Sequence, residues 1–197
     1  LRNAGLVLAY HDRSDGGLWA TACEMAFASR LGISLNVDLL VTESDGIGDS
    51  RAEYGDSKNW ATQVSARREE LTLRALFNEE LGALIQVPTA RRDEALAILR
   101  GAGLGRMSHV VGKTNPRRVI EVWRDAKAVF SASLFALQQA WDDVSWRICR
   151  LRDHPDCADA EHAAAGRDDD PGLHVRLAGP AFAADAPAAP ALVARAP

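Results

Sequence analysis

"LVLAYHDRSDGGLWATACEMAFA", residues 6–28, passes from an apolar run through five polar residues and a Gly-Gly pair into a second apolar pattern. The continuous run Leu6–Tyr10 predicts a short strand buried on both faces. Ser14 or Asp15 can cap the helix that follows, in which Leu18, Ala22, Met25 and Ala26 recur at the spacing of one helical face. Gly32 is the expected C-terminal stop of that helix. Between strand and helix, "HDRSDGG" needs a reason to exist.

One reason can be dismissed on geometry. Ser, His and Asp lie within five positions, but triad members meet in space from separated segments, and no G-x-S-x-G elbow is present. Another uses strand alternation. If the strand persists to Ser14, then Asp12 and Ser14 share one face while His11 and Arg13 share the other. Asp15-Gly16-Gly17 then opens a helix, whose first free N–H groups and positive dipole end favour an anion. A phosphate suits Ser14 and the helix start but is repelled by Asp12. A divalent cation between them removes the conflict, since Mg²⁺ is commonly held by one or two carboxylates plus phosphate oxygens. The motif therefore fits a Mg²⁺–nucleotide edge, and it equally fits a well-capped helix with a tight entry turn.

Outward from this stretch, "GISLNVDLL" alternates Ile33, Leu35 and Val37 on one face, a half-buried strand. Residues 42–70 turn polar and Gly-rich, and are expected to be a long loop or insertion. "LTLRALFNEELGALIQV" recovers order: a short apolar helix or strand end, a turn over 78–82, then a strand over 83–87. Pro88-Thr89 introduces a helix over 91–100 with Ala95, Leu96 and Leu99 inward, ended by Gly101 or Gly103. Strands are expected over 109–112, 118–123 and 128–131. Leu134, Leu137, Trp141, Val144, Ile148 and Leu151 then step by three and four, predicting a long helix packed on the core. After Arg152 the chain is polar and turn-rich, and from 178 it is dominated by Ala and Pro, so 153–197 reads as a linker. The expected body is an α+β domain over 1–152, with a mixed sheet and packed helices.

Composition limits the function. The 197 residues are 47% hydrophobic and 25% charged, with a net charge of −4, which disfavours a general nucleic-acid or anionic-membrane binder. No apolar run approaches the ~20 residues needed to span a bilayer. Cys23, Cys149 and Cys157 are odd in number and widely spaced, as reduced thiols of a cytoplasmic protein would be. His154, Cys157 and His162 match no standard zinc spacing. Glu79 and Glu80 at the turn could supply a metal ligand or a base, or be solvated or bonded to backbone.

Taken together, "AYHDRSDGGL", "EMAFA", "LFNEELGALIQV", "LRDHPDCADAEH" and "DPGL" resemble the large bacterial-type phosphoribosylformylglycinamidine synthases, within the aminoimidazole-ribonucleotide-synthetase-like superfamily. The resemblance covers residues 6–30 and 71–175. It implies the C-terminal subdomain of that fold, followed by a linker toward a glutaminase domain that this chain lacks. It also implies an ATP-dependent amidoligase of purine biosynthesis, which converts formylglycinamide ribonucleotide to its amidine with glutamine-derived ammonia. Asp12 matches a family magnesium ligand and Ser14 a nucleotide contact. The implied cofactors are Mg²⁺ and ATP or ADP. The implied partners are the other synthetase subdomains and the glutaminase, with self-association of the fragment through an apolar face they would cover. The alternative is a non-catalytic structural or docking domain, with or without a structural nucleotide.

Overall fold

The computed structural model describes residues 1–45 and 60–169. Among them the chain forms six strands and six α-helices: β1 (Ala9–Asp12), α1 (Gly17–Ser29), β2 (Gly32–Asn36), α2 (Asp38–Asp45), α3 (Trp60–Phe77), β3 (Ala83–Gln86), α4 (Arg92–Gly101), β4 (Gly112–Asn115), β5 (Val119–Arg124), β6 (Lys127–Ser133), α5 (Leu134–Arg152) and α6 (Pro155–Ala165). The expected α+β class with a mixed sheet is what the chain adopts. A four-stranded sheet runs in the order β4-β2-β5-β6, with β2 parallel to β5 and the other pairs antiparallel. β1 and β3 form a separate antiparallel ribbon, with Tyr10 opposite Ile85 and Asp12 opposite Ala83.

The core lies between the four-stranded sheet and helices α1 and α5. Ile33, Leu35 and Val37 from β2 and its exit, with Ile120 and Val122 from β5, meet Ala22, Ala26 and Phe27 from α1 and Leu134 from α5. Period-two alternation puts these strand residues on one face, and each fully buried branched side chain contributes roughly 1.5–3 kcal/mol. The other sheet face carries polar groups. Glu121 there is only 6% exposed. Its Oε2 accepts from Ser34 Oγ at 3.1 Å, Arg117 Nη2 at 2.6 Å and Trp123 Nε1 at 3.2 Å.

Several expectations are corrected. The first strand spans Ala9–Asp12 rather than 6–10, and it is not buried on both faces: Leu8 and Tyr10 are 61% and 57% exposed. With β3 as its ribbon partner and, among the described residues, no second sheet over it, its outer face meets solvent. Gly32 does not stop α1. Arg30 takes the left-handed conformation at φ 55°, and Gly32 opens β2, where an added Cβ would lie 2.4 Å from the Val119 carbonyl oxygen. The loop expected over 42–70 contains the end of α2 and the first half of α3, the remainder falling outside the described residues. The strand expected at 109–112 begins only at Gly112.

The long helix is present as α5, but its stripe is mostly not core. Leu134 is buried, whereas Trp141, Val144, Ile148 and Leu151 are exposed by half or more. The linker expected from 153 instead begins with α6, which has Pro at its first turn. It packs back on α5: His162 stacks on Trp146 at 4.5 Å between ring centroids and pairs with Asp142 at 2.9 Å, while Trp146 Nε1 donates to Asp159 at 2.8 Å. Residues 170–197 lie outside the described residues. No helix among those described is long and apolar enough to cross a membrane.

Candidate functional site

β1 ends at Asp12, and five residues later α1 begins. Across this junction exposure alternates: His11 and Arg13 are half-buried, Asp12 and Ser14 are exposed. Both predicted site residues are thus exposed, although the strand does not persist to Ser14 as the shared-face reading required. Gly16 and Gly17 both take positive φ, 82° and 65°, a backbone that residues with a Cβ adopt only at a cost. At Gly17 the constraint is also spatial, since a Cβ would lie 2.7 Å from the Leu76 carbonyl oxygen and 2.9 Å from that of Asn78.

Those contacts come from the second motif. The loop after α3 wraps the turn: Arg13 N–H donates to the Gly82 carbonyl at 2.9 Å, Arg13 Nη1 donates to Glu80 Oε1 at 2.8 Å, and Gly16 N–H donates to Glu79 Oε1 at 2.9 Å. Of the uses considered for the two glutamates, the structure gives a backbone bond to Glu79 and an ion pair to Glu80. Neither Ser14 nor Asp15 caps α1; Gly16 occupies the cap position, with no cap bond from a side chain of its own. The capping anion arrives from 63 residues away, a distance that local capping patterns do not span.

Further residues fix the strand end. Buried Thr21 donates its hydroxyl to the carbonyls of Gly17 at 2.9 Å and Asp12 at 3.3 Å. His11 Nδ1 donates to the Asp12 carbonyl at 2.7 Å, and its Nε2 pairs with Glu24 Oε2 at 2.8 Å. Trp141 Nε1 donates to the other oxygen of Glu24 at 3.1 Å, tying α5 to the same cluster. Tyr10, one strand pleat before Asp12, donates its hydroxyl to Asp12 Oδ1. That bond raises the Tyr10 phenol above its ordinary value.

Among the described residues, no group of three or more His, Cys, Asp or Glu side chains could enclose a metal ion. The junction therefore fits a cation only in part: Asp12 offers one carboxylate, and other oxygens must complete the sphere. One or two carboxylates plus phosphate oxygens and water is a common environment for Mg²⁺. Cys23 is no nucleophile, because burial pushes its thiol up to about 12. A cavity of about 2040 Å³ forms an open groove between the β1–β3 ribbon and β4, lined in part by Tyr10, His11, Glu24, Leu84, Lys113 and Trp141. It exceeds the size of an ordinary small-molecule pocket at least twofold, and neither Asp12 nor Ser14 lines it.

Residues 1–125 match the AIR synthase related protein, C-terminal domain. The chain belongs to that family. T. maritima PurL complexed with ATP is 17% identical over 67% of this chain and 19% of that one, with a TM-score of 0.44. T. maritima PurL complexed with FGAR is 16% identical over 68% and 18%, with a TM-score of 0.45. PurLQS from Thermotoga maritima is 18% identical over 67% and 18%, with a TM-score of 0.46. The chain spans less than a fifth of those chains, and likeness of this degree carries no functional argument.

Proposed function

We propose that this chain is the C-terminal subdomain of an ATP-dependent amidoligase of purine biosynthesis, acting in the cytoplasm and inactive alone. In that enzyme class ATP phosphorylates the amide oxygen of formylglycinamide ribonucleotide. Ammonia released from glutamine then displaces phosphate, leaving the amidine, ADP and glutamate. The share of this chain is a nucleotide edge: Asp12 supplies a carboxylate oxygen to Mg²⁺, and Ser14 contacts a phosphate. The remaining ligands, the glutaminase and the ribonucleotide site belong to other subdomains. The observation that supports this reading is the exposure of Asp12 and Ser14 just before the Gly16–Gly17 turn that opens a helix, in a chain whose residues 1–125 match the AIR synthase related protein, C-terminal domain.

Calorimetric titration of the full chain with ATP and with ADP, each with and without Mg²⁺, tests it beside Asp12→Ala. Binding that requires Mg²⁺ and is lost in the variant is the expected result. Binding indifferent to both, or absent altogether, contradicts it.

A second reading, a structural or docking domain without turnover, is favoured by the exposed apolar stripe of α5. It expects the β1–α1 junction to be indifferent to ATP and Mg²⁺.

A further inference from the structure

Glu121 stands on the sheet face opposite the core, in register with Ser34 of β2, and lines the groove beside β4 together with Ser34, Lys113, Arg117 and Trp123. It is 6% exposed, yet its two oxygens are used unequally. Oε2 takes all three donors, from Ser34, Arg117 and Trp123. Among the described residues nothing donates to Oε1, although a carboxylate has room for about four hydrogen bonds. A charged acceptor so deeply set and left without a donor is uncommon and costly. Burial pushes the carboxyl up, but the three bonds outweigh it and hold it below its ordinary range, so Oε1 belongs to a carboxylate.

The neighbouring cation is unspent in the complementary way. Arg117 is 60% exposed and holds Glu121 through Nη2 alone, at 2.6 Å. Among the described residues its Nε and Nη1 have no acceptor. An open carboxylate oxygen and an open guanidinium edge therefore lie side by side in one groove. We propose that this pair is a binding site for a free α-amino acid, whose ammonium donates to Glu121 Oε1 and whose carboxylate accepts from Arg117. The ligand carries both charges on one carbon, as closely set as the Glu121–Arg117 pair and in the opposite sense. A simple anion would face Glu121, and a simple amine would face Arg117 and Lys113; a zwitterion satisfies both sides. The Arg117 backbone is fixed independently, its N–H donating to Asn115 Oδ1 at 3.1 Å, so the side chain can adjust without moving the strand. The site lies apart from Asp12 and Ser14, which do not line this groove.

The test is titration of the full chain with glycine, followed at the ¹⁵N–¹H resonance of the Trp123 indole, which reads Glu121 through its own bond to Oε2 at 3.2 Å. Acetate, which lacks the ammonium, and trimethylglycine, which lacks its N–H donors, are the comparisons. Glycine should shift the resonance saturably, while the other two leave it in place at the same concentration. Arg117→Ala and Glu121→Gln each remove a charge-assisted bond and should weaken glycine by about tenfold or more. Because Arg117 is exposed, its variant keeps the test open even if Glu121→Gln fails to fold. A resonance unmoved by glycine, an equal shift with acetate, or an Arg117→Ala chain that binds glycine as the wild type does would each overturn the proposal.

Discussion

At Gly17 one missing methyl group allows two distant motifs to meet. "HDRSDGGL" needs a left-handed turn there, and the loop of "LFNEELG" fills the space a Cβ would claim. Gly17→Ala combines a positive φ with a 2.7 Å contact to backbone, a strain of about 2 kcal/mol or more. We expect a fall in Tm of about 4–8 °C, read by thermal denaturation; an unchanged Tm would show that the loop does not press on the turn. The candidate site was legible in part for a related reason. A polar break between a strand and a helix is a local property, so the β1–α1 junction could be read from the sequence, although the strand stops at Asp12 rather than running on to Ser14. Glu79, Tyr10 and Thr21 could not be given their partners. Glu79 reaches Gly16 across 63 positions, and nothing in a turn glutamate says which distant amide it will find.

Among the elements, the β2–β5 pair carries the clearest titration effect. Burial pushes the Glu121 carboxyl up, but hydrogen bonds from Trp123, Ser34 and Arg117 outweigh it, and the group ends below its ordinary range. A depressed carboxyl contributes stability that is full above its unfolded value of about 4.3 and is lost as pH falls through the lower folded value. Denaturant unfolding of the wild type should therefore lose stability below about pH 4.3, and Glu121→Gln should flatten that loss. Parallel curves for the two proteins would remove Glu121 from the account. Strand β2 was legible because Ile33, Leu35 and Val37 repeat with the pleat. Helix α2 and the first part of α3 were not, since their polar sequence shows no sustained apolar period, whereas the end of α3, with buried Thr72 and Leu76, falls in the stretch read as a helix or strand end. Helix α6 was missed although Pro155 and Asp156 stand where a helix start wants them; its packing comes from an aromatic–histidine stack that periodicity does not register.

For the whole molecule, α5 separates what a pattern states from what it leaves open. Steps of three and four residues say that a helix has an apolar face; they do not say what covers it. Leu134 meets the core, but Trp141, Val144, Ile148 and Leu151 stay exposed. Exposed apolar surface of this kind promotes association. We expect the isolated chain to self-associate with rising concentration in sedimentation velocity, and Val144→Glu with Ile148→Glu to return it to monomer. A monomer at every concentration would contradict this.

If the β1–α1 junction is a Mg²⁺–nucleotide edge, bound nucleotide must protect its backbone. Amide hydrogen exchange of the full chain, with and without Mg²⁺–ATP, reads it most directly. Slowed exchange is expected at residues 12–17 and in the loop 78–82, dependent on Mg²⁺ and absent in Asp12→Ala. Exchange that is unchanged there, or slowed only around the groove beside Trp141 and β4, would contradict it.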